Sequence, residues 1–422
     1  MLVRVASCCL LAGLSGCMFE QDLGKNSGEN LNGTGGAAGS GGSSASGGSG
    51  GSSASGGSSA AGGSSASGGT SSGGTGAAGS GGTGTGGTGG CAFESPFLSP
   101  PTTLATGQVN PEALAVDATS VYWVNRSVDF TNGGAVVKVS KTGGQAQTLA
   151  SVAMYSNLPN EAFDDVVGLV VSATHAYWRA ARGHQVWRVP IAGGKPEAIF
   201  QGGPAQDTSD FLTGSNGVHN IAIDATHVYW TYYSTFTDQA VYTAPLTGGS
   251  AAPIPGSATS VNPTSVVANA SGVYWSTYGS YQMGFLDGAI MGADPGGAKV
   301  HAVATSLGNT EMLAVDASSL YAAGWELGKA RKIDVLAGTA PVELNPYAAA
   351  SRSVAVDDVN AYVTVDFAQD CHGILRMPKT PSTGVPIPLR MGADFHPFTI
   401  AVDDQNVYWI DEAAGQIAKM KK

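Results

Sequence analysis

Between residues 110 and 410 the apolar positions come in short clusters rather than helical stripes. Each cluster follows one plan: a brief aliphatic run, an acidic or small polar break, then a second run built on an aromatic pair. The clearest copy reads Leu114-Ala-Val-Asp-Ala-Thr-Ser-Val-Tyr-Trp123. Three more pair Leu169-Val-Val-Ser172 with Tyr177-Trp178, Ile221-Ala-Ile-Asp224 with Tyr229-Trp230, and Val266-Val-Ala-Asn269 with Tyr274-Trp275. The last three pair Leu313-Ala-Val-Asp316 with Tyr321, Val354-Ala-Val-Asp357 with Tyr362, and Ile400-Ala-Val-Asp403 with Tyr408-Trp409. The breaks at 117, 172, 224, 269, 316, 357 and 403 are separated by 55, 52, 45, 47, 41 and 46 residues. Short strands recurring every 40 to 50 or so residues, with no helical period, predict propeller blades. Seven copies predict an all-β, seven-bladed β-propeller.

Four strands are legible in each repeat. The first does not alternate in polarity, which suits an inner strand buried on both faces. The second carries the Tyr-Trp pair, whose broad rings suit the gaps between blades. A third run, such as Val136-Val-Lys-Val139 or Gln185-Val-Trp-Arg-Val189, ends at a glycine pair, and a short outer run such as Gln147-Thr-Leu149 follows. Gly143-Gly144, Gly193-Gly194, Gly248-Gly249 and Gly296-Gly297 supply the positive backbone angles of tight hairpins. The seventh repeat reaches Lys422 after its third strand, while Thr102-Thr-Leu-Ala105, ahead of the first repeat, reads as an outer strand. The N-terminal strand is therefore expected to complete the last blade and remove the open edge. Each recurring Asp falls where an Asx turn would fold the first strand into the second. His175 and His227 hold the same repeat position and read as turn residues rather than paired ligands.

The segment Ile221-Ala-Ile-Asp-Ala-Thr-His-Val-Tyr-Trp-Thr231, followed by a strand and a glycine hairpin, resembles the YWTD propeller repeats of lipoprotein-receptor ectodomains. It looks still more like related bacterial propellers of unassigned function. The resemblance covers about 320 residues and implies the fold. It implies no shared catalytic set, because the repeated residues are structural.

The chain before the repeats is of two other kinds. Arg4 precedes an apolar run, Val5 to Leu14, too short to span a bilayer but suited to a secretory signal. Leu14-Ser-Gly-Cys17 resembles the lipobox of bacterial lipoproteins, which implies a signal peptide over 1–16, cleavage before Cys17 and lipidation of its thiol. Met18, rather than Asp, follows, a pattern similar to lipoproteins sent to the outer membrane. From Ser27 to Gly90 the chain is almost entirely Gly, Ser, Ala and Thr. Such a segment cannot bury enough apolar area to offset ordering, so residues 17–92 are expected to form a disordered tether. Its root-mean-square reach is roughly 40 to 50 Å. Residues 93–422 are the expected propeller.

Charge and composition narrow the partners. The net charge of −11 excludes a basic nucleic-acid footprint. No His/Cys cluster has zinc spacing and no Cys-x-x-Cys occurs, so neither a metal site nor a cofactor is implied. Of five cysteines, Cys8 and Cys9 leave with the signal and Cys17 takes lipid, which leaves Cys91 and Cys371 to pair or to remain as two thiols. The expected partners are the membrane, through the anchor, and an envelope protein, peptide or glycan.

A candidate site is found where the repetition breaks. Two residues ahead of each inner strand's leading apolar position stand Glu112, Val167, His219, Thr264, Glu311, Arg352 and Phe398. Two further out stand Asn110, Asp165, Gly217, Asn262, Asn309, Ala350 and His396. Packing alone would favour similar residues around the ring. The mixture of acid, base and imidazole instead makes Glu112, Asp165, His219, Glu311, Arg352 and His396 candidate ligand-binding residues at the channel mouth. The insertions Ser156 to Val166 and Gln201 to Val218 are expected to overhang it. Two function classes follow: a tethered binding protein, and a lyase or hydrolase in which Glu112, Glu311, His219 and Arg352 supply acid, base and charge stabilisation. Binding is favoured because no nucleophile stands beside a base.

Overall fold

The computed structural model describes residues 100–126, 134–151, 166–180, 185–201, 220–233, 239–259, 263–279, 286–308, 310, 312–324, 330–335, 340–344, 350–367, 371–380 and 386–422. Residues 1–99, where the signal peptide, the lipidated cysteine and the tether are expected, lie outside them. The first strand is β1 (Thr102–Ala105). Blade 1 follows as β2 (Pro111–Val116), β3 (Ser120–Asn125), β4 (Ala135–Ser140) and β5 (Gln147–Ser151). Blade 2 is β6 (Val166–Val171), β7 (His175–Ala180), β8 (Gln185–Pro190) and β9 (Glu197–Gln201). Blade 3 is β10 (Ile221–Ile223), β11 (His227–Tyr233), β12 (Gln239–Pro245) and β13 (Ala252–Pro253). Blade 4 is β14 (Pro263–Asn269), β15 (Gly272–Thr277), β16 (Ala289–Ala293) and β17 (His301–Ala304). Blade 5 is β18 (Met312–Val315), β19 (Ser319–Ala323), β20 (Arg331–Asp334) and β21 (Val342–Glu343). Blade 6 is β22 (Ala350–Val356), β23 (Asn360–Phe367), β24 (Cys371–Pro378) and β25 (Ile387–Gly392). Blade 7 is β26 (Pro397–Val402), β27 (Asn406–Asp411) and β28 (Gln416–Lys421).

Among the described residues these strands form seven four-stranded antiparallel sheets. The seventh has the order β1-β28-β27-β26, with Thr102 opposite Lys419 and Ala105 opposite Ile417. The inner strands pack side by side from β2 through β6, β10, β14, β18 and β22 to β26, which returns to β2. The ring is closed, and the chain is a seven-bladed β-propeller whose last blade is completed by its first strand.

The Tyr-Trp pair explains the ring. Neighbouring residues of a strand point to opposite faces, so each Tyr faces the next blade and each Trp the preceding one. Tyr122 packs with Trp178, Tyr177 with Trp230, Tyr229 with Trp275, Tyr362 with Trp409, and Tyr408 with Trp123 across the closure. All five tryptophans have 0% exposure, so each ring is wholly spent on an interface. Burying about 150–250 Å² per ring contributes roughly 4–6 kcal/mol as an upper estimate. Blades 5 and 6 have Ala322 and Val363 in the Trp place. There Tyr274 meets Leu320 and Ile333, and Tyr321 meets Leu375 and Met377.

One face of the ring carries the turns between first and second strands. Asp117 shows the pattern: Oδ1 accepts from the Thr119 and Ser120 backbone N–H groups at 2.7 Å each, and Oδ2 accepts from the Tyr122 hydroxyl at 2.6 Å. Asp224, Asp316, Asp357 and Asp403 repeat it with Tyr229, Tyr321, Tyr362 and Tyr408. The Asx turn is as expected; the tyrosine is an addition that explains why a carboxylate, with a second oxygen, recurs there. His175 and His227 hold equivalent turn positions, each tilted on the tyrosine two residues later. In three blades a lysine from the following blade joins the carboxylate. Lys141 reaches Asp403 at 2.6 Å, Lys379 reaches Asp316 at 2.6 Å, and Lys422 reaches Asp357 at 2.5 Å.

The opposite face is the mouth, which holds the second-to-third hairpins and the links between blades. Approaching it, the inner strands lose register at Pro111–Leu114, Val166–Gly168, Pro263–Val266, Ser351–Ser353 and Pro397–Ile400. Such bulges free backbone groups from the ladder, and hydroxyls bridging the blades take some of them up. Thr399 Oγ1 donates to the Glu112 carbonyl at 2.6 Å, and Thr264 Oγ1 to the Thr310 carbonyl at 2.9 Å.

Candidate functional site

Blades 6, 7 and 1 frame a basin of about 410 Å³ at the mouth. Blade 6 supplies its charged wall. β23 and β24 are eight residues each, and their register sets Asp366 opposite His372 near the hairpin end. Asp366 Oδ1 accepts from His372 Nδ1 at 2.5 Å when the proton is placed on that nitrogen, and Oδ2 accepts from Arg352 Nε on β22. With its side chain only 12% exposed and held from two sides, Asp366 is a fixed carboxylate rather than a mobile surface acid. Arg352, 35% exposed, lines the basin alongside it.

Blade 7 supplies the other side. The link from β25 to β26 presents His396, exposed, with its ring centroid 4.2 Å from that of His372. Pro397 and Phe398 at the start of β26 form an apolar patch, and Glu412 rises from the β27–β28 hairpin. Asn110, just before β2, closes the basin with φ of 43°. Asn tolerates this left-handed conformation better than most residues, and its carbonyl there accepts from Arg126 N at 3.0 Å. Two carboxylates, a guanidinium, an imidazole and an amide thus converge on one concavity with an apolar patch.

The structure brings together Arg352 and His396 from the predicted set, with Asn110 and Phe398 beside them. Glu112 does not line the basin: it pairs with Arg126 at 3.2 Å on blade 1. Asp165, His219 and Glu311 lie outside the described residues, as do the insertions at 156–165 and 202–219. Cys371 opens β24 next to His372, is buried, and is disulfide-bonded. Cys91 and Cys17 lie outside the described residues. Among the described residues no group of three or more His, Cys, Asp or Glu is placed to hold a metal ion.

Asp366, His372 and Glu412 were not legible from aligned inner strands because they stand on the second-to-third hairpins. A signal existed in blade 6: an Asp and a His flank Phe-Ala-Gln-Asp-Cys symmetrically, the spacing of residues facing across a hairpin.

No protein-family model matches the chain, and no curated protein matches it. Solved propellers match it in shape. Virginiamycin B lyase from Staphylococcus aureus aligns with a TM-score of 0.55 at 11% identity, over 76% of this chain and 98% of that one. A chain of a mitotic checkpoint complex aligns at 0.54 and 10% identity, over 78% and 98%. A chain of a nidogen/laminin complex aligns at 0.44 and 18% identity, over 63% and 94%. The likeness to the lyase and to the checkpoint-complex chain, at these identities, is one of fold. Fold alone does not assign a role.

Proposed function

We propose that this is a lipid-anchored protein of the bacterial cell envelope whose propeller binds a ligand in the basin at blades 6, 7 and 1. The observation that carries the reading is the convergence of Arg352, Asp366, His396 and Glu412 on one cavity of about 410 Å³. Concave sites with a few convergent polar groups and an apolar wall are where ligands bind. The anchor rests on Leu14-Ser-Gly-Cys17: cleavage before Cys17 and acylation hold the chain to the membrane, and Met18 fits the outer membrane. Residues 27–90 then let the propeller sweep the space around its anchor. Cys91, the cysteine left once the leader is removed and Cys17 is acylated, pairs with Cys371 and ties the tether's end beside the basin.

The test is capture from solubilised envelope and soluble glycan fractions by the full chain and by an Arg352→Ala/His396→Ala/Glu412→Ala variant. Capture lost in the variant supports the reading; equal capture by both moves binding to the blade sides. Fatty-acid labelling abolished by Cys17→Ser tests the anchor, and a non-reduced peptide map lacking a Cys91–Cys371 pair would refute the tie. A second reading, an envelope lyase or hydrolase, draws on one observation: Asp366 orients His372 in the carboxylate–imidazole arrangement that serves general bases. Turnover of a captured ligand, lost in His372→Gln, would favour it.

A further inference from the structure

We infer that the ligand of the basin is a neutral pyranose, alone or as a sugar unit of a glycan. The inference rests on the reading that the basin binds a ligand and adds its chemical class.

The basin sets the Arg352 guanidinium against the Asp366 and Glu412 carboxylates within a single small concavity, with the His396 imidazole beside them. An anion entering beside Arg352 meets Asp366, which is fixed there by two donors; a cation entering beside Glu412 meets the Arg352 guanidinium. Either suffers like-charge contact or leaves a charge desolvated without a partner, which costs more than the pairing returns. A neutral molecule rich in hydroxyls has no such conflict. Each hydroxyl donates once and accepts twice, so it gives its proton to a carboxylate and takes one from the guanidinium, the imidazole or the Asn110 amide.

Geometry narrows the class from polyols to sugar rings. Arg, Asp, Glu and Asn are planar and present paired polar atoms, a spacing that suits two adjacent hydroxyls of a ring. Asp366 is preorganised for this. Its two oxygens have about four acceptor positions between them, two used by His372 and Arg352, and its plane is held before any ligand arrives. Phe398, half-buried in the basin wall, offers an apolar surface for the C–H face of a pyranose, while the polar groups address its edge. A flexible polyol would match the hydrogen bonds but lose more entropy on ordering.

The test is calorimetric and NMR titration of the full-length protein with methyl pyranosides of glucose, galactose, mannose and N-acetylglucosamine. Glucuronate, glucosamine and the peptide Gly-Gly-Gly are the charged probes. At least one neutral pyranoside is expected to bind about 10-fold or more tightly than the charged probes. Glu412→Gln and Asp366→Asn are expected to weaken it by about 10-fold each, the loss expected for a hydrogen bond to a charged group. Asp358→Asn, on the turn face, is expected to leave binding unchanged. Glu412 lies on an exposed hairpin, so its variant remains informative if Asp366→Asn folds poorly. A charged probe binding better than every neutral pyranoside, with the loss on basin substitution, overturns the sugar class and leaves the basin as a ligand site. Binding by none of the probes, with no perturbation of His396 signals, overturns both.

Discussion

The arc of blades 5, 6, 7 and 1 and the arc of blades 2, 3 and 4 share one repeat and are held together differently. Positions equivalent to Lys141 lie just past the third strand, where the backbone N–H returns to the first-to-second turn. In blades 1, 6 and 7 that position is Lys141, Lys379 or Lys422, and each faces an Asp of the preceding blade. In blades 2, 3 and 5 it is Ile191, Leu246 or Val335. Before Leu246 and Val335 the turn residue is Ser172 or Asn269, so no carboxylate awaits a lysine; Asp117, ahead of Ile191, keeps its tyrosine as partner. The second arc joins its blades through neutral acceptors and amide or hydroxyl bridges, which the first arc has as well, in addition to its ion pairs. Arg188 donates to the Leu246 carbonyl at 2.5 Å, and Asn220 Nδ2 to Ser265 Oγ at 3.0 Å. Ion latches therefore cluster where the ring is closed by the four-residue β1 and where Trp is missing from two successive blades. The same arc carries the basin on its other face. A repeat can thus keep its aromatic interface while its polar joints adapt to local need.

The largest effect expected is from the closure itself. Starting the chain at Asn110 removes β1, with buried Leu104, and Gln108, whose side chain accepts from Trp123 Nε1 at 2.9 Å. Losing a buried leucine alone costs about 2–5 kcal/mol, so urea unfolding should show at least that loss against a chain starting at Phe93. Equal stabilities would break the closure argument. Lys141→Met ranks next. It leaves Asp403, 22% exposed in its side chain, without its cation, and is expected to cost about 1–2 kcal/mol, between surface and buried ion pairs. Asn220→Ala, in the other arc, removes a neutral bridge and is expected to cost about 1 kcal/mol by the same measurement. Ile191→Lys would place a fourth lysine against Asp117; a gain of 0 to about 1 kcal/mol is expected by the same measurement.

The smallest effect is in acid. Burial pushes the Asp316 and Asp357 carboxyls up, but Lys379 and Lys422, the tyrosines and the turn N–H groups outweigh it and hold both down at about 2. An unfolded Asp titrates near 3.9, so the folded value is the lower one. The latch contribution is complete above about pH 4 and is lost as pH falls through about 2. The stability difference between wild type and Lys379→Met should accordingly be flat from pH 7 to about 4, shrink as pH falls toward 2, and vanish only below about 2. A difference that faded already between pH 6 and 5 would show that another group holds the latch.

Blade number, strand order and closure were legible because each repeat must bury its own apolar strands against its neighbours, and the period records that need. Even Thr102-Thr-Leu-Ala105 declared its role, since the seventh repeat lacked an outer strand. The tyrosine on each turn Asp was present in the sequence as a constant five-residue spacing, but only the fold of the hairpin brings hydroxyl and carboxylate within 2.6 to 2.8 Å. At the mouth, aligned inner strands pointed to Arg352 and His396 and could not supply Asp366, His372 or Glu412, which arrive from other strands. What repeats is written in the order of residues, because burial imposes a local pattern of apolar residues on every blade. Which non-repeating side chains meet is set by the folded ring, because that depends on where the ring closes and how far each hairpin rises above it.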